Sequence, residues 1–169
     1  MKTTGYELRE ALKRWKLKRD VAQAAFPKSL KTFEGQDKRS PEDLASELLV
    51  AEAAIAKLQA TQDSYNTIVS FEVGGEQMSL CYAIKHLGGL VRVEKLWRDV
   101  AVKGEDTRFS YTEPTRLKDH EYARDTVTPE SAAQQALEIG KVIADLRVAI
   151  SKGNAVEVET DCDEALFSE

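Results

Sequence analysis

The sequence predicts a mainly α protein: a long antiparallel helical hairpin, two further helices and a small antiparallel β element, assembled as an oligomer. Three observations carry this. The segment from Leu44 to Tyr65 repeats apolar residues by fours and threes. Ser-Pro-Glu and Thr-Pro-Glu start signals open two helices. A β-branched run ends on Gly74-Gly75. Spacing of 3.5 residues is the seam of a coiled coil, whereas β-branched alternation before a glycine pair is hairpin chemistry.

Helix one is expected from about Tyr6 to Phe26, with Leu8, Leu12, Trp15, Ala22 and Phe26 on one stripe, Arg19 interrupting it and Pro27 ending or kinking it. FEGQDKRS makes the connection. Helix two opens at Ser40, an N-cap, followed by Pro41 at the first helical position and acids over the positive helix end. Its seam runs Leu44, Leu48, Ala51, Ile55, Leu58, Gln62, Tyr65. From Pro41 to Asn66 the helix spans roughly 39 Å, at about 1.5 Å per residue, and needs another helix or subunit along it.

Residues 67–73 and 76–78 are expected to pair as strands. Helix three follows from near Ser79 to about Val102, with Gly104 as its stop. Its apolar face is expected to hold Leu80, Ile84, Leu87, Leu90, Val91, Trp97 and Val100. Gly88-Gly89 in its middle costs about 1–2 kcal/mol relative to two alanines, as if something approached that backbone closely. Short strands are expected within 107–127. Helix four starts at Pro129, with Ile139, Ile143, Leu146 and Ile150 as its stripe and Lys152-Gly153-Asn154 as its end. Residues 155–160 give a last strand. Residues 1–160 thus form one domain, and 161–169 an acidic, solvated tail anchored weakly by Leu166-Phe167.

The hydrophobic content of 42% and charged content of 31% fit a folded helical chain. Cys81 and Cys162 make no disulfide framework, and with no signal-peptide stretch and no run near 18 apolar residues a cytoplasmic protein is expected. The net charge of −5 divides into +6 over residues 1–40 and −11 over the rest. Such complementary blocks suit subunit pairing, and the overall acidity disfavours DNA. The run KRWKLKR is diluted by Glu7, Glu10 and Asp20, so no membrane partner is expected.

Enzyme chemistry finds no support. His86 and His120 lack metal-ligand spacing, Cys81 and His86 lie on different helix faces, and Gly74-Gly75 lacks the rest of a phosphate loop. No catalytic residue, metal or cofactor is expected. The constellation best suited to a ligand is basic and aromatic: Lys85, Arg92 and Lys95 along helix three, with Arg108, Tyr111, Arg116 and Arg124 downstream. Guanidinium forks suit phosphate, and Phe71, Trp97 and Tyr111 offer stacking faces. The competing reading is an ion-paired helix surface, the commoner use of such stripes.

LREALKRWKLKRDVAQ, FEGQ, SYNTIVSFEVGG, MSLCYAIKHLGGLVRVEKLWRDV and the terminal KGNAVEVE stand in an order and spacing that resembles the septicolysin-like family of small bacterial and phage proteins, most of unknown function. The likeness covers about residues 5–160, and this chain departs from it in the extended 105–128 segment and in the tail beyond Thr160. It implies the fold and self-association, and brings no reaction. In architecture alone the chain also resembles phage anti-defence sponges, oligomers that hold nucleotide-derived immune signals between subunits. That likeness implies a homo-oligomer sequestering an anionic, nucleotide-like small molecule, in the host cytoplasm if phage-encoded. The alternative is a structural helical hairpin that docks another protein and takes no small ligand.

Overall fold

The structure, a computed structural model, describes residues 1–31, 39–107 and 127–167. It is mainly helical: α1 (Gly5–Ser29), α2 (Pro41–Ile68), α3 (Leu80–Thr107) and α4 (Pro129–Asn154), with β1 (Lys2–Thr3), β2 (Ser70–Val73), β3 (Glu76–Ser79) and β4 (Val158–Glu159). The described chain groups into two compact units: residues 1–81 with 151 onward, and residues 82–150.

The first unit is built on the hairpin. Thr4 caps α1 through a reciprocal box: its hydroxyl accepts from the Glu7 N–H, and the Glu7 carboxylate accepts from the Thr4 N–H at 2.8 Å. The bond from the Thr4 backbone, and after it one that the Thr4 hydroxyl donates to the carboxylate at 3.0 Å, hold the Glu7 carboxyl below its usual pKa. A depressed carboxylate contributes stability that is present above its unfolded pKa and lost as pH falls through the folded one. Thr4→Ala is therefore expected to cost about 1 kcal/mol at neutral pH. The share of that cost that comes from the hydroxyl's bond to the Glu7 carboxylate should disappear as the pH drops below the ordinary carboxylate range, while alanine keeps the backbone bond; urea unfolding at two pH values checks it.

Leu8, Ala11, Leu12 and Ala22 of α1 are buried, as are Leu44, Ala51, Ile55, Leu58 and Tyr65 of the α2 seam. Arg19 lies 3.8 Å from Glu52, and a Cβ built on Gly5 would sit 2.8 Å from the Tyr65 ring. Residue numbers thus rise along α1 as they fall along α2, so the hairpin is antiparallel. Pro27 does not end α1, which continues to Ser29. Proline's fixed φ is helical, and in a last turn its missing N–H removes a single bond.

After α2, the β2–β3 hairpin pairs Ser70 with Ser79 and Val73 with Glu76. Gly74 (φ +61°) and Gly75 (φ +85°) supply the two left-handed residues that a type I′ turn demands. Gly104, by contrast, does not stop α3, which reaches Thr107. Among the glycines of the described residues only Gly74 and Gly75 have positive φ, and a glycine in helical conformation merely weakens a helix.

The chain ends meet. Lys2 pairs with Glu159 and Thr3 with Val158, a strand at the N-terminus that the sequence reading missed because two residues show no alternation. Over residues 161–167 the acids Asp161, Asp163 and Glu164 are exposed, as expected of a solvated tail, but the anchor at Leu166-Phe167 is firm rather than weak. Cys162 is buried, Trp15 Nε1 donates to the Leu166 carbonyl at 3.1 Å, and Arg14 donates to the Phe167 carbonyl at 3.0 Å. Asp163 caps the short 3-10 turn Glu164–Leu166 that presents those carbonyls. At Gly5, an added Cβ would lie 2.5 Å from Asn154 Oδ1 and 3.3 Å from the Asn154 Cα. Gly5→Ala is expected to destabilise by about 1–3 kcal/mol despite alanine's better helix propensity, since backbone cannot move aside. A lowered Tm checks it.

Candidate functional site on the third helix

In α3 the residues facing the interior recur at Ala83, Leu87, Leu90, Glu94, Trp97 and Ala101: Ala83 is buried and the rest half-buried. The expected apolar face is thereby corrected. Leu80 is buried and Leu87, Leu90 and Trp97 are half-covered, but Ile84 is 41%, Val91 37% and Val100 43% exposed. The heptad phase was misread by about one residue. Glu94, half-buried on the interior side, is ion-paired with Arg98 one turn on.

Around the rest of the helix the exposed side chains include an unusual share of apolar ones. Tyr82, Val93, Leu96 and Val100 are exposed by 56%, 43%, 65% and 43%. With His86 and Gly89 they fall at 82, 86, 89, 93, 96 and 100, steps of four and three. At about 100° per residue these six lie within an arc of roughly 80°. The Tyr82 and His86 rings stack at 5.5 Å within this strip. A second, shorter strip holds Ile84, Val91 and Val102, all exposed. Gly88 and Gly89 lie on the open side. A Cβ on Gly89 would meet nothing within 4 Å, and one on Gly88 only the tip of Arg92 at 3.8 Å. No described part of the chain approaches this glycine pair closely enough to require glycine.

The expected ligand residues distribute as follows. Lys85, Arg92 and Lys95 are exposed and lie within an arc of roughly 80°, at about 100° per residue, beside the apolar strip. Trp97 sits on the opposite, interior side of α3 and offers them no stacking face. Phe71 belongs to the first unit, where its ring packs at the surface of Gly153: a Cβ there would come within 2.8 Å of it. Arg108, Tyr111, Arg116 and Arg124, the strands expected within 107–127, and His120 lie outside the described residues, apart from Thr107, the last residue of α3 and so helical, and Val127, which is in no strand.

The first unit carries an open groove of about 750 Å³ between α1 and α2, lined by Trp15, Lys18, Arg39, Asp43, Glu47 and Val50 among others. Its charges answer one another. Arg39 bonds Glu47 at 2.7 Å, and the Lys18 ammonium lies 4.5 Å from the Trp15 ring centre. Among the described residues no group of three His, Cys, Asp or Glu side chains is placed to hold a metal ion, and no helix is long and apolar enough to cross a membrane.

No family model and no curated protein matches the chain. A solved structure does: the crystal structure of a functionally unknown conserved protein from Corynebacterium diphtheriae, with a TM-score of 0.72 over 94% of this chain and 100% of that one. The two share a fold. At 18% identity the likeness speaks for the fold and for nothing finer.

Proposed function

We propose that this protein is a non-enzymatic interaction protein that works by docking a protein surface along α3. The carrying observation is the exposure of Tyr82, Val93, Leu96 and Val100 in a single strip of one helix, with Ile84, Val91 and Val102 exposed on the other side of the same helix. Singly exposed apolar side chains are ordinary, whereas a continuous stripe down a long helix is the mark of a contact surface. A helix apolar on several sides belongs in the middle of an assembly. The septicolysin-like resemblance is in keeping with this reading, as a family proposal that likewise implies self-association.

A photo-crosslinking amino acid at Leu96 tests it in cell lysate. Adducts to protein are expected from Leu96 and not from a control at Lys57, on the exposed side of α2. Equal or absent adducts from both positions would contradict the docking role.

Lys85, Arg92 and Lys95 favour a second reading, the sequestration of an anionic, nucleotide-like small molecule at the edge of that surface. Cyclic dinucleotides and ADP-ribose at saturating concentration are then expected to raise Tm. The shift should disappear in the Lys85→Ala/Arg92→Ala/Lys95→Ala variant. No shift with any of them would dispose of this reading.

A further inference from the structure

We propose that the occupant of the α3 strip is a second copy of this chain, its α3 laid antiparallel across the first about residue 91. This inference rests on the docking role of α3 and names the partner.

The strip's spacing of four and three is that of one half of a coiled-coil seam. An antiparallel partner centred on residue 91 sets each strip position against one whose number complements it to 182, and each flanking position beside one that complements it to 184. Gly89 then faces the partner's Val93, Tyr82 the partner's Val100, and His86 the partner's Leu96, each twice by symmetry. Every layer thus sets a larger side chain against a smaller or slimmer one. A parallel pairing would instead stack Tyr82 on Tyr82, His86 on His86 and an empty Gly89 layer on itself, alternating crowding with a void. Gly89 finds its reason here. No described residue of the chain itself comes near Gly89, and an isologous contact brings a second backbone and the partner's Val93 to it.

Charge agrees with the same register. Lys85, Arg92 and Asp99, all exposed, flank the strip on one side at seven-residue steps. Antiparallel pairing matches flanking positions of this class with one another. Lys85 therefore meets the partner's Asp99 at each end of the seam, and two opposite-charge pairs result. One like-charge encounter remains, Arg92 with the partner's Arg92 at the axis. Both lie at the wet rim, where screening keeps the penalty small.

Sedimentation of the purified full chain over roughly two decades of concentration around micromolar tests the proposal. A reversible monomer–dimer equilibrium is expected. Leu96→Asp should raise Kd at least tenfold. Lys85→Asp and Asp99→Lys each break both symmetry-related pairs and should each raise it about fivefold, two exposed pairs at about 0.5 kcal/mol apiece, and the double exchange should return it near the starting value. Arg92→Gln should tighten the dimer. Gly89→Leu separates assembly from folding. The open space around Gly89 lets leucine raise the thermal stability of the diluted chain, while the filled layer weakens the dimer.

Failure of the double charge exchange to restore affinity overturns the antiparallel register. A monomer at every concentration overturns the second copy as occupant. If the Leu96 crosslink in lysate nonetheless captures a different protein, the docking role stands without this inference. If it captures nothing, both fall.

Discussion

Tyr65→Ala is expected to destabilise the protein by about 3–5 kcal/mol, the cost of emptying a fully buried aromatic site. Tyr65 has no exposed surface, and its ring touches Gly5 of α1. Its hydroxyl reaches the carbonyls of Gly153 (2.8 Å) and Val156 (2.7 Å), donating to one or shared between both. One side chain of α2 thereby ties the start of α1, the end of α4 and the approach to β4. Tyr65→Phe keeps the ring and loses the hydroxyl bond, so a cost of about 1–2 kcal/mol is expected. Burial pushes the Tyr65 phenol above its usual pKa. A raised phenol contributes stability that is complete below the unfolded pKa and lost as pH rises through the folded one. Wild type should therefore lose stability above about pH 10, more steeply than Tyr65→Phe, which has no phenol to ionise there. Denaturant melts at neutral and alkaline pH measure both effects.

Leu58→Ala is the second large effect, expected at about 2–5 kcal/mol. Leu58 is completely buried at the middle of the α2 seam, where the hairpin has least freedom to collapse around a cavity. Leu49→Ala, on the same helix but at a residue 74% exposed, should change stability by no more than about 0.5 kcal/mol. Comparable losses from both would contradict the seam's place in the core.

The hairpin was readable because its seam is unambiguous. Six of its positions are large or small apolar residues, only Gln62 breaks it, and Ser40 with Pro41 fixes where it starts. The β2–β3 turn was readable for a similar reason, since Gly74-Gly75 permits few alternatives. Two features were obscured by rules applied too strictly. Pro27 and Gly104 are both breakers in a helix interior, yet one sits in a last turn and the other keeps helical φ. The C-terminal stretch was judged too loose from its acids: Cys162 is buried, and the carbonyls of Leu166 and Phe167 fasten the expected anchor to α1. The third helix was the hardest to phase, because it carries two heptad strips a short rotation apart. Ala83, Leu87, Leu90, Trp97 and Ala101 form one, and Tyr82, Gly89, Val93, Leu96 and Val100 the other. A single-face reading merges them, and the expected ligand set inherited the error by placing Trp97 with Lys85, Arg92 and Lys95.

That second strip is the center of the account, and the mass of the purified chain in solution tests it most directly. Light scattering coupled to size exclusion is expected to give a mass approaching twice the 18.8 kDa of one chain as the loading concentration rises, and close to 18.8 kDa for Leu96→Asp at the same loading. A wild-type mass of 18.8 kDa at every concentration, unchanged by Leu96→Asp, would contradict self-association through α3.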